Sequence, residues 1–287
     1  VGDFYDFPSS SFSLEAWVKP EAVDGNRTVL SKGNWRNPGA GGYELLINNE
    51  AFTFRWNNNS VTTSHKIRTD RWYHLAVVFS GARVDLYVDG IPVGNRTVTT
   101  PPQDVAEPFL IGGMYDASKP EKPESLFHGW IEEIRIWQTA LTIEQIRFMM
   151  NQRIEPVSSD GISYVKGEML PMNVPGSLTW NTLKGYYRLL AQAELIEDGT
   201  TPNLASDSAE GFLRNIESFQ INSAPLPYIS ETNGEWNDRT TWDQQIGTDS
   251  EKWWEYHQSA YLATAGTDPE TGQVTEETLF DAVIGDS

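Results

Sequence analysis

Stretches in which apolar and polar residues alternate run through the first half of the 287-residue chain. The first, FSLEAWVKP at residues 12–20, is apolar at every second position, which is the period of a strand with one buried face. Further strand-like stretches occupy residues 27–33, 42–48, 51–57, 70–80, 83–90, 108–113 and 129–137. Because Gly- and Asn-rich segments separate them and no helical pattern intervenes, they predict an antiparallel two-sheet sandwich or jelly roll.

The stretch 70–80, DRWYHLAVVFS, is apolar on both of its faces. This pattern predicts a central strand that is buried between two layers. The Asp89-Gly90 pair that follows the next strand predicts a type I′ turn, which needs a positive φ at both central residues. For His74 we favour a hydrogen-bonding role inside the sheet over a role in binding a ligand.

One helix is expected after the strands, with Thr142 as the N-cap and Gln145 completing a capping box. The sequence then predicts a domain at residues 1–150, a linker at 151–179, and a connector or partial second β module at 180–287. The C-terminal region is irregular, acidic and only partly β in pattern. The predicted fold class is therefore all-β, a jelly-roll sandwich followed by that region.

The composition limits which metal sites and binding partners the chain can have. The chain has no cysteine, which excludes disulfides and thiolate metal sites and leaves oxygen-ligand metals, calcium first. Its formal net charge is −19, and most of that charge lies in the second half. An acidic surface repels nucleic acid and anionic membranes, and no apolar run approaches the roughly 18 residues that span a bilayer. We therefore expect neither nucleic-acid binding nor membrane insertion.

Six motifs resemble laminin-G-like, concanavalin A-like jelly-roll domains in sequence and order. They are FSLEAWVKP, TVLSKG, GYELLI, RWYHLAVVFSGARVDLYVDGIPVG, PFLIGG and FHGWIEEIRIWQTALTIEQI. The resemblance covers about residues 1–148. It implies a two-sheet sandwich of a kind that mostly binds glycans or proteins in extracellular multidomain chains, and that often holds one calcium ion.

The second half resembles segments between such domains in very large surface adhesins of Bacteroidetes, including gliding-motility adhesins. It also resembles the opening of a further jelly-roll module, because a GYY strand and an Asp-, Ser- and Gly-containing loop usually precede the core. The chain starts after the point where its own first module would carry that strand. Either residues 183–190 or an upstream segment would then supply the missing edge strand.

A calcium site is expected where the apolar phase slips within GWIEEIRIW. A bulge at Glu132 and Glu133 would explain the slip and turn a carboxylate toward the edge of the sandwich. The resemblance implies that these two residues, Asp3 and the carbonyl of Gly2 hold the ion. A salt bridge to Arg135 is the alternative that needs no metal.

Glycan binding requires exposed aromatic rings and polar groups. The candidates in or near loops are Trp35, Trp56, Asn58, Tyr115 and Asp116. The alternatives are that the tryptophans belong to the core and that the Asn-rich NNNS segment is only a turn.

Catalysis is not expected, because adjacent glutamates point to opposite sides of a regular strand and no hydrolase motif is present. We therefore expect a non-catalytic binding module of a secreted bacterial surface adhesin. Its partners would be a polysaccharide or surface glycan and the neighbouring modules, with calcium in support. The alternative is a spacer module that has no ligand of its own.

Overall fold

The computed structural model describes residues 1–7, 11–33, 41–98, 100–120, 122–168, 171–189 and 199–214, and these are almost entirely strands and loops. The first ten strands are β1 Phe12–Pro20, β2 Asn26–Lys32, β3 Tyr43–Asn48, β4 Ala51–Trp56, β5 Asn59–Lys66, β6 Tyr73–Phe79, β7 Arg83–Val88, β8 Ile91–Thr97, β9 Phe109–Ile111 and β10 Gly129–Trp137. Helix α1, Ile143–Met149, follows, and then β11 Ile154–Ser159, β12 Ile162–Gly167, a 3-10 turn at Trp180–Thr182, β13 Leu183–Tyr187, β14 Thr200–Thr201 and β15 Gly211–Phe212.

Two antiparallel sheets form the sandwich. The six-stranded sheet has the order β13-β10-β1-β6-β7-β8, and the five-stranded sheet has the order β5-β4-β3-β2-β9. Alternate side chains of both sheets meet in one core, in which the Phe12 ring stacks on those of Tyr43 and Phe79 and the Phe54 ring packs at a tilt against Tyr43. The predicted jelly-roll sandwich is confirmed.

Strand β6 lies between β1 and β7 and is buried along its whole length. Leu75 and Val77 contribute to the core between the sheets, whereas Ala76 and Val78 pack on the opposite face. The prediction of a central, doubly covered strand is therefore correct. Asp89 and Gly90 follow β7 with φ angles of 52° and 71°, as the predicted turn requires.

A third layer covers the outer face of the six-stranded sheet. It consists of α1, the β11–β12 hairpin and the segment that leads to β13, and its apolar side chains pack on Ala76, Val78 and Trp137. The Arg135 guanidinium fastens this layer to the sheet by donating to the carbonyls of Met149 and Gln152 at 2.8 and 2.6 Å. The capping box of Thr142 and Gln145 is present as predicted.

Strand β13 completes the six-stranded sheet by pairing antiparallel with β10, with Tyr187 opposite Ile134. The same chain thus supplies the edge strand, as one of the two sequence-based alternatives proposed.

The predicted boundary at residue 150 and the linker at 151–179 are wrong, because residues 151–168 and 171–189 pack on the sandwich as part of one unit. Most of the region 180–287 lies outside the described residues. No helix in the described part of the chain is long and apolar enough to cross a membrane.

Candidate functional site

A cleft of about 460 Å3 opens beside strand β13. Three walls enclose it: the N-terminal segment (residues 1–7), the start of β13, and the loop at residues 203–209, here called the edge loop. Its lining residues are Phe4, Tyr5, Asp6, Phe7, Gln138, Asn181, Leu183, Lys184, Ala205, Ser206, Ser208 and Ala209. The volume falls within the range of roughly 300–1,000 Å3 that is typical of small-ligand sites.

The N-terminal segment is held against the five-stranded sheet by Lys32, which is completely buried at the end of β2. Its ammonium group donates to Asp3 Oδ1 and to the carbonyl of Glu107, the latter at 2.7 Å, and lies 3.1 Å from Asp6 Oδ2. The second oxygen of Asp6 accepts a hydrogen bond from the Val105 amide at 3.2 Å. Polar contacts, not a strand pairing, therefore fix the path of this wall.

Tyr5 joins the N-terminal segment to β13. Its hydroxyl lies 2.5 Å from the Tyr187 hydroxyl, which in turn donates to the carbonyl of Ala209. Burial raises the pKa of Tyr5 to about 12, so this phenol stays protonated and can donate. The close approach requires Gly185, because a Cβ there would lie 2.8 Å from the Tyr5 hydroxyl.

Asn203 holds the edge loop against the free edge of β13. Its side-chain oxygen accepts from the Tyr186 amide at 2.9 Å, and its side-chain nitrogen donates to the carbonyl of Lys184 at 3.0 Å. The carboxamide therefore pairs with the strand as one peptide group of a further strand would. The same nitrogen reaches the carbonyl of Ser208 at 2.9 Å, which shapes the loop around the cleft.

The lining of the cleft combines an open aromatic ring with amides and hydroxyls. Phe4 is 40% exposed. The side chains of Gln138, Asn181, Ser206 and Ser208 are exposed around it. Amides and hydroxyls both donate and accept hydrogen bonds, and an aromatic face packs on the apolar face of a sugar ring. This arrangement suits a ligand rich in hydroxyl groups.

Asp6 is the only carboxyl among the described residues that line the cleft, and it is paired with Lys32. Burial raises the pKa of Asp6, while the ammonium group of Lys32 opposes that shift. A glycosidase needs two carboxyl groups that flank the scissile bond. The described lining of the cleft does not provide such a pair.

The structure does not bring the expected calcium ligands together. Asp3 lies at Lys32 beside the five-stranded sheet, and the carbonyl of Gly2 accepts from the amides of Phe4 and Phe109, both at 3.0 Å. Glu132 and Glu133 belong to β10 of the other sheet. Among the described residues, no group of three or more His, Asp or Glu side chains is arranged to hold a metal ion.

The bulge predicted at Glu132 and Glu133 exists, but it points the carboxylate elsewhere. The register of β10 against β1 shifts here, and Glu133 has a φ of 50°. Its carboxylate is 3% exposed and accepts hydrogen bonds from Tyr186 at 2.7 Å and Arg135 at 3.1 Å. The expectation that a carboxylate faces the edge of the sandwich is wrong, because Glu133 forms an ion pair with the buried Arg135.

The predicted ligand-contacting residues that the structure describes do not line the cleft. Trp56 is fully buried and donates its indole N–H to the carbonyl of Thr100 at 2.9 Å, so the prediction that it contacts a glycan is wrong. Asn58 is exposed at the tip of the β4–β5 hairpin, with a φ of 63°. Tyr115 and Asp116 are half-buried in the loop after β9, where Asp116 caps a turn by accepting from Ser118. Trp35 lies outside the described residues.

Sequence reasoning missed the residues that form the cleft. The segment GDFYDFP contributes only Gly2 and Asp3 to the predicted sites, although it also carries the ring of Phe4. The sequence-based prediction places the polar loop that contains Asn203, Ser206 and Ser208 in a connector or partial second β module. No local pattern marks either segment as part of a site, because long-range contacts bring them together.

Comparisons with known proteins agree with this architecture. The family model of the concanavalin A-like lectin/glucanases superfamily matches residues 2–147. A proposed carbohydrate-binding protein from Bacteroides ovatus ATCC 8483 has a similar structure, with 21% identity and a TM-score of 0.50. The match covers 71% of this chain and 52% of that protein, so this chain spans about half the length of the Bacteroides protein. No curated protein matches the chain.

Two further solved structures are similar over about half of this chain. A SAP-like pentraxin from Limulus polyphemus shares 20% identity with a TM-score of 0.39, covering 48% of this chain and 69% of the pentraxin. The CBM40 domain of a Ruminococcus gnavus sialidase, bound to α2,3-sialyllactose, shares 14% identity with a TM-score of 0.41, covering 48% and 81%.

Proposed function

The chain belongs to the concanavalin A-like lectin/glucanases superfamily, and from this premise we propose that it is a non-catalytic module that binds a neutral glycan in the cleft beside β13. The observation that carries the proposal is the lining of the cleft, to which an exposed aromatic ring, Phe4, and side-chain amides and hydroxyls all contribute. Lectin-like sites use this combination because sugar rings have apolar faces and hydroxyl edges.

Charge favours a neutral ligand. The single carboxylate of the cleft, Asp6, is paired with Lys32, and the ammonium group of Lys184 donates to the carbonyl of Asn181 at 2.8 Å. The whole chain carries a net charge of −19, which repels polyanions such as acidic polysaccharides. Hydroxyl recognition by neutral side chains is therefore the chemistry that the cleft offers.

Further parts of the proposal rest on the resemblance of the sequence. We place the module in a secreted surface adhesin, where it would attach the cell to glycans and contact neighbouring modules of the same chain. Calcium remains a prediction without an assembled site among the described residues. The alternative is a spacer that binds no glycan.

The test is affinity electrophoresis of the full chain in gels that contain neutral polysaccharides (starch, xylan, mannan, arabinan) or acidic ones (alginate, polygalacturonate). Phe4→Ala removes the ring from the cleft, and Phe212→Ala is the matched control, because Phe212 is 62% exposed on β15 and does not line the cleft. We expect a neutral polysaccharide to retard the protein. Loss of one aromatic contact should weaken that binding about tenfold for Phe4→Ala only.

Two results would overturn the proposal. Equal retardation of the Phe4→Ala and Phe212→Ala variants would remove the cleft as the binding site. Absence of retardation by every polysaccharide, from protein shown to be folded by circular dichroism, would favour the spacer.

A further inference from the structure

Lys32 is the one lysine among the described residues whose side chain is completely buried while its ammonium group contacts two carboxylates. An ammonium group has three N–H donors, and three oxygens surround it, from Asp3, Asp6 and the carbonyl of Glu107. All three donors therefore have a partner. The arrangement joins the N-terminal segment to the loop before β9 and to the end of β2.

Two carboxylates and a carbonyl are also the ligands that a hard cation such as calcium takes. Here the ammonium group of Lys32, a cation that belongs to the chain itself, already lies between these oxygens. A calcium ion that used Asp3 and Asp6 would have to displace the Lys32 ammonium or lie within a few ångströms of its positive charge, and like charges at that distance repel strongly in a buried setting. The oxygens thus fit an ammonium group and do not fit a metal as well.

The contacts of Lys32 also affect the cleft, because Asp3 and Asp6 flank Phe4 and Tyr5, which line it. The segment between the two aspartates has no strand pairing; Tyr5 is fastened instead by its own hydroxyl and by the Tyr43 hydroxyl, which donates to its carbonyl at 2.9 Å. Lys32 holds the two ends of this four-residue segment, Asp3–Asp6, at one point. Lys32 thereby fixes the position of the Phe4 ring in the cleft.

We propose that Lys32 is a positioning residue that does the work of a structural metal ion at this wall, so that the cleft is formed, and binds its ligand, without calcium. This inference rests on the proposed function for its ligand-binding part. Its other part concerns stability and calcium alone, and it can be tested even if no glycan binds.

The experiment uses the full chain and compares wild type with Lys32→Met, which keeps the length of the side chain and removes its charge. Lys66→Met is the matched control, because Lys66 forms a 3.4 Å ion pair with Glu50 at the surface, where Lys66 is 69% exposed. Melting temperature is measured in EDTA and in millimolar calcium, and calcium binding is measured by titration calorimetry. Affinity is measured for the polysaccharide that retards the wild type.

For the wild type we expect the same melting temperature and the same affinity in EDTA and in calcium. Lys32→Met leaves Asp3 and Asp6 without their shared cation, and its melting temperature should fall by about 5–10 °C. Lys66→Met should stay near the wild type, since exposed ion pairs contribute little. Melting of the wild type that rises with calcium, or affinity that EDTA abolishes, would overturn the proposal.

A second variant separates positioning from stability. Lys32→Met/Asp3→Asn removes one of the two unpaired carboxylates and should recover part of the lost melting temperature. Because no ammonium group then holds the segment in place, both Lys32→Met and the double variant should bind the polysaccharide about tenfold more weakly than the wild type does. Affinity that returns in step with melting temperature would show that Lys32 only stabilises the fold, and would contradict the positioning role.

Discussion

At the scale of single residues, Asn203 shows how one side chain ends a sheet. It is 8% exposed, and its carboxamide satisfies the Tyr186 amide and the Lys184 carbonyl on the free edge of β13. An edge strand with unpaired groups invites pairing with another chain. The side chain thus protects the edge and shapes one wall of the cleft at the same time.

Asn203→Ala should therefore destabilise the protein by about 2 kcal/mol, because it leaves backbone groups of β13 without a partner. Urea unfolding measures the change. Asn95→Ala, at an exposed position of β8, is the control and should have almost no effect. Equal stability of the two variants would mean that water replaces the carboxamide at no cost.

Asp89 makes stability depend on pH. It is 2% exposed, and burial raises its pKa from 3.8 to about 7, although Arg71 and the hydrogen bond from the His74 amide oppose the shift. The folded protein therefore holds this proton more tightly than the unfolded chain does. Its contribution to stability is greatest below the unfolded pKa and decreases as the pH rises from about 4 to about 7.

Asp89→Asn keeps the turn geometry and an acceptor for the His74 amide, but it cannot ionise. Between pH 4 and pH 7 its free energy of unfolding should fall less steeply than that of the wild type, by up to a few kcal/mol in total. Urea unfolding at a series of pH values measures the slope. Asp160→Asn is the control, because Asp160 also precedes a glycine in a tight turn but is exposed. Parallel slopes for the wild type and Asp89→Asn would contradict this role of Asp89.

Trp56 and Phe4 show what the sequence could predict about single residues. Phe52, Phe54 and Trp56 share the period of β4, so their common burial follows from the strand pattern, and naming Trp56 as a ligand contact ignored that signal. Phe4 lies in a segment without a period. Its position depends on Lys32, and no local rule predicts that contact.

At the scale of elements, local signals were sufficient for the helix and most strands. The capping box that begins α1 involves residues three positions apart, and most strands of the sandwich carry a strand-like pattern of apolar residues within their own length. The sequence predicts a strand at β13, but it leaves open whether this strand or an upstream segment completes the edge of the sandwich. The two paired strands are about 45 residues apart in the sequence, and no sequence pattern states which edge of a sheet a strand will join.

Arg135 links two of these elements, and its replacement should loosen the third layer. Arg135→Met removes the donors to Met149 and Gln152 and leaves the buried Glu133 with one basic partner fewer. We expect a loss of about 3 kcal/mol in the free energy of unfolding. Arg135→Met/Glu133→Gln should recover part of that loss, since Glu133 then no longer carries a buried charge that lacks Arg135.

Hydrogen exchange localises the effect of Arg135→Met. Amides of α1 and the β11–β12 hairpin should exchange faster, while those of the five-stranded sheet should keep their protection. Uniformly faster exchange would indicate that Arg135 supports the whole sandwich equally and does not fasten one layer to it.

At the scale of the whole molecule, the folded unit is larger than the sequence predicted. Composition changes after residue 150, and that change suggested a linker, but the hairpin and β13 contribute apolar side chains such as Ile154, Val165 and Leu183 to the third layer. Composition reports the charge of exposed positions. It does not report which few apolar residues of a polar segment reach a core.

A chain that ends at residue 150 should therefore fail to fold stably. It would expose the outer face of the six-stranded sheet, with Ala76, Val78 and Trp137, and it would leave β10 as an unprotected edge. We expect this chain to aggregate or to bind a hydrophobic dye, in contrast to the full chain. If residues 1–150 alone are soluble and unfold cooperatively, the result would support the domain boundary that the sequence predicts at residue 150.

The most direct measurement is a crystal structure of the full chain with an oligosaccharide of the polysaccharide that it binds. We predict a sugar ring against Phe4, with hydroxyl groups at Gln138, Asn181 or Ser206, and Lys32 in contact with Asp3 and Asp6 in a crystal grown with calcium. A sugar bound elsewhere, for example at Tyr115 and Asp116 in the loop after β9, would contradict the assignment of the cleft.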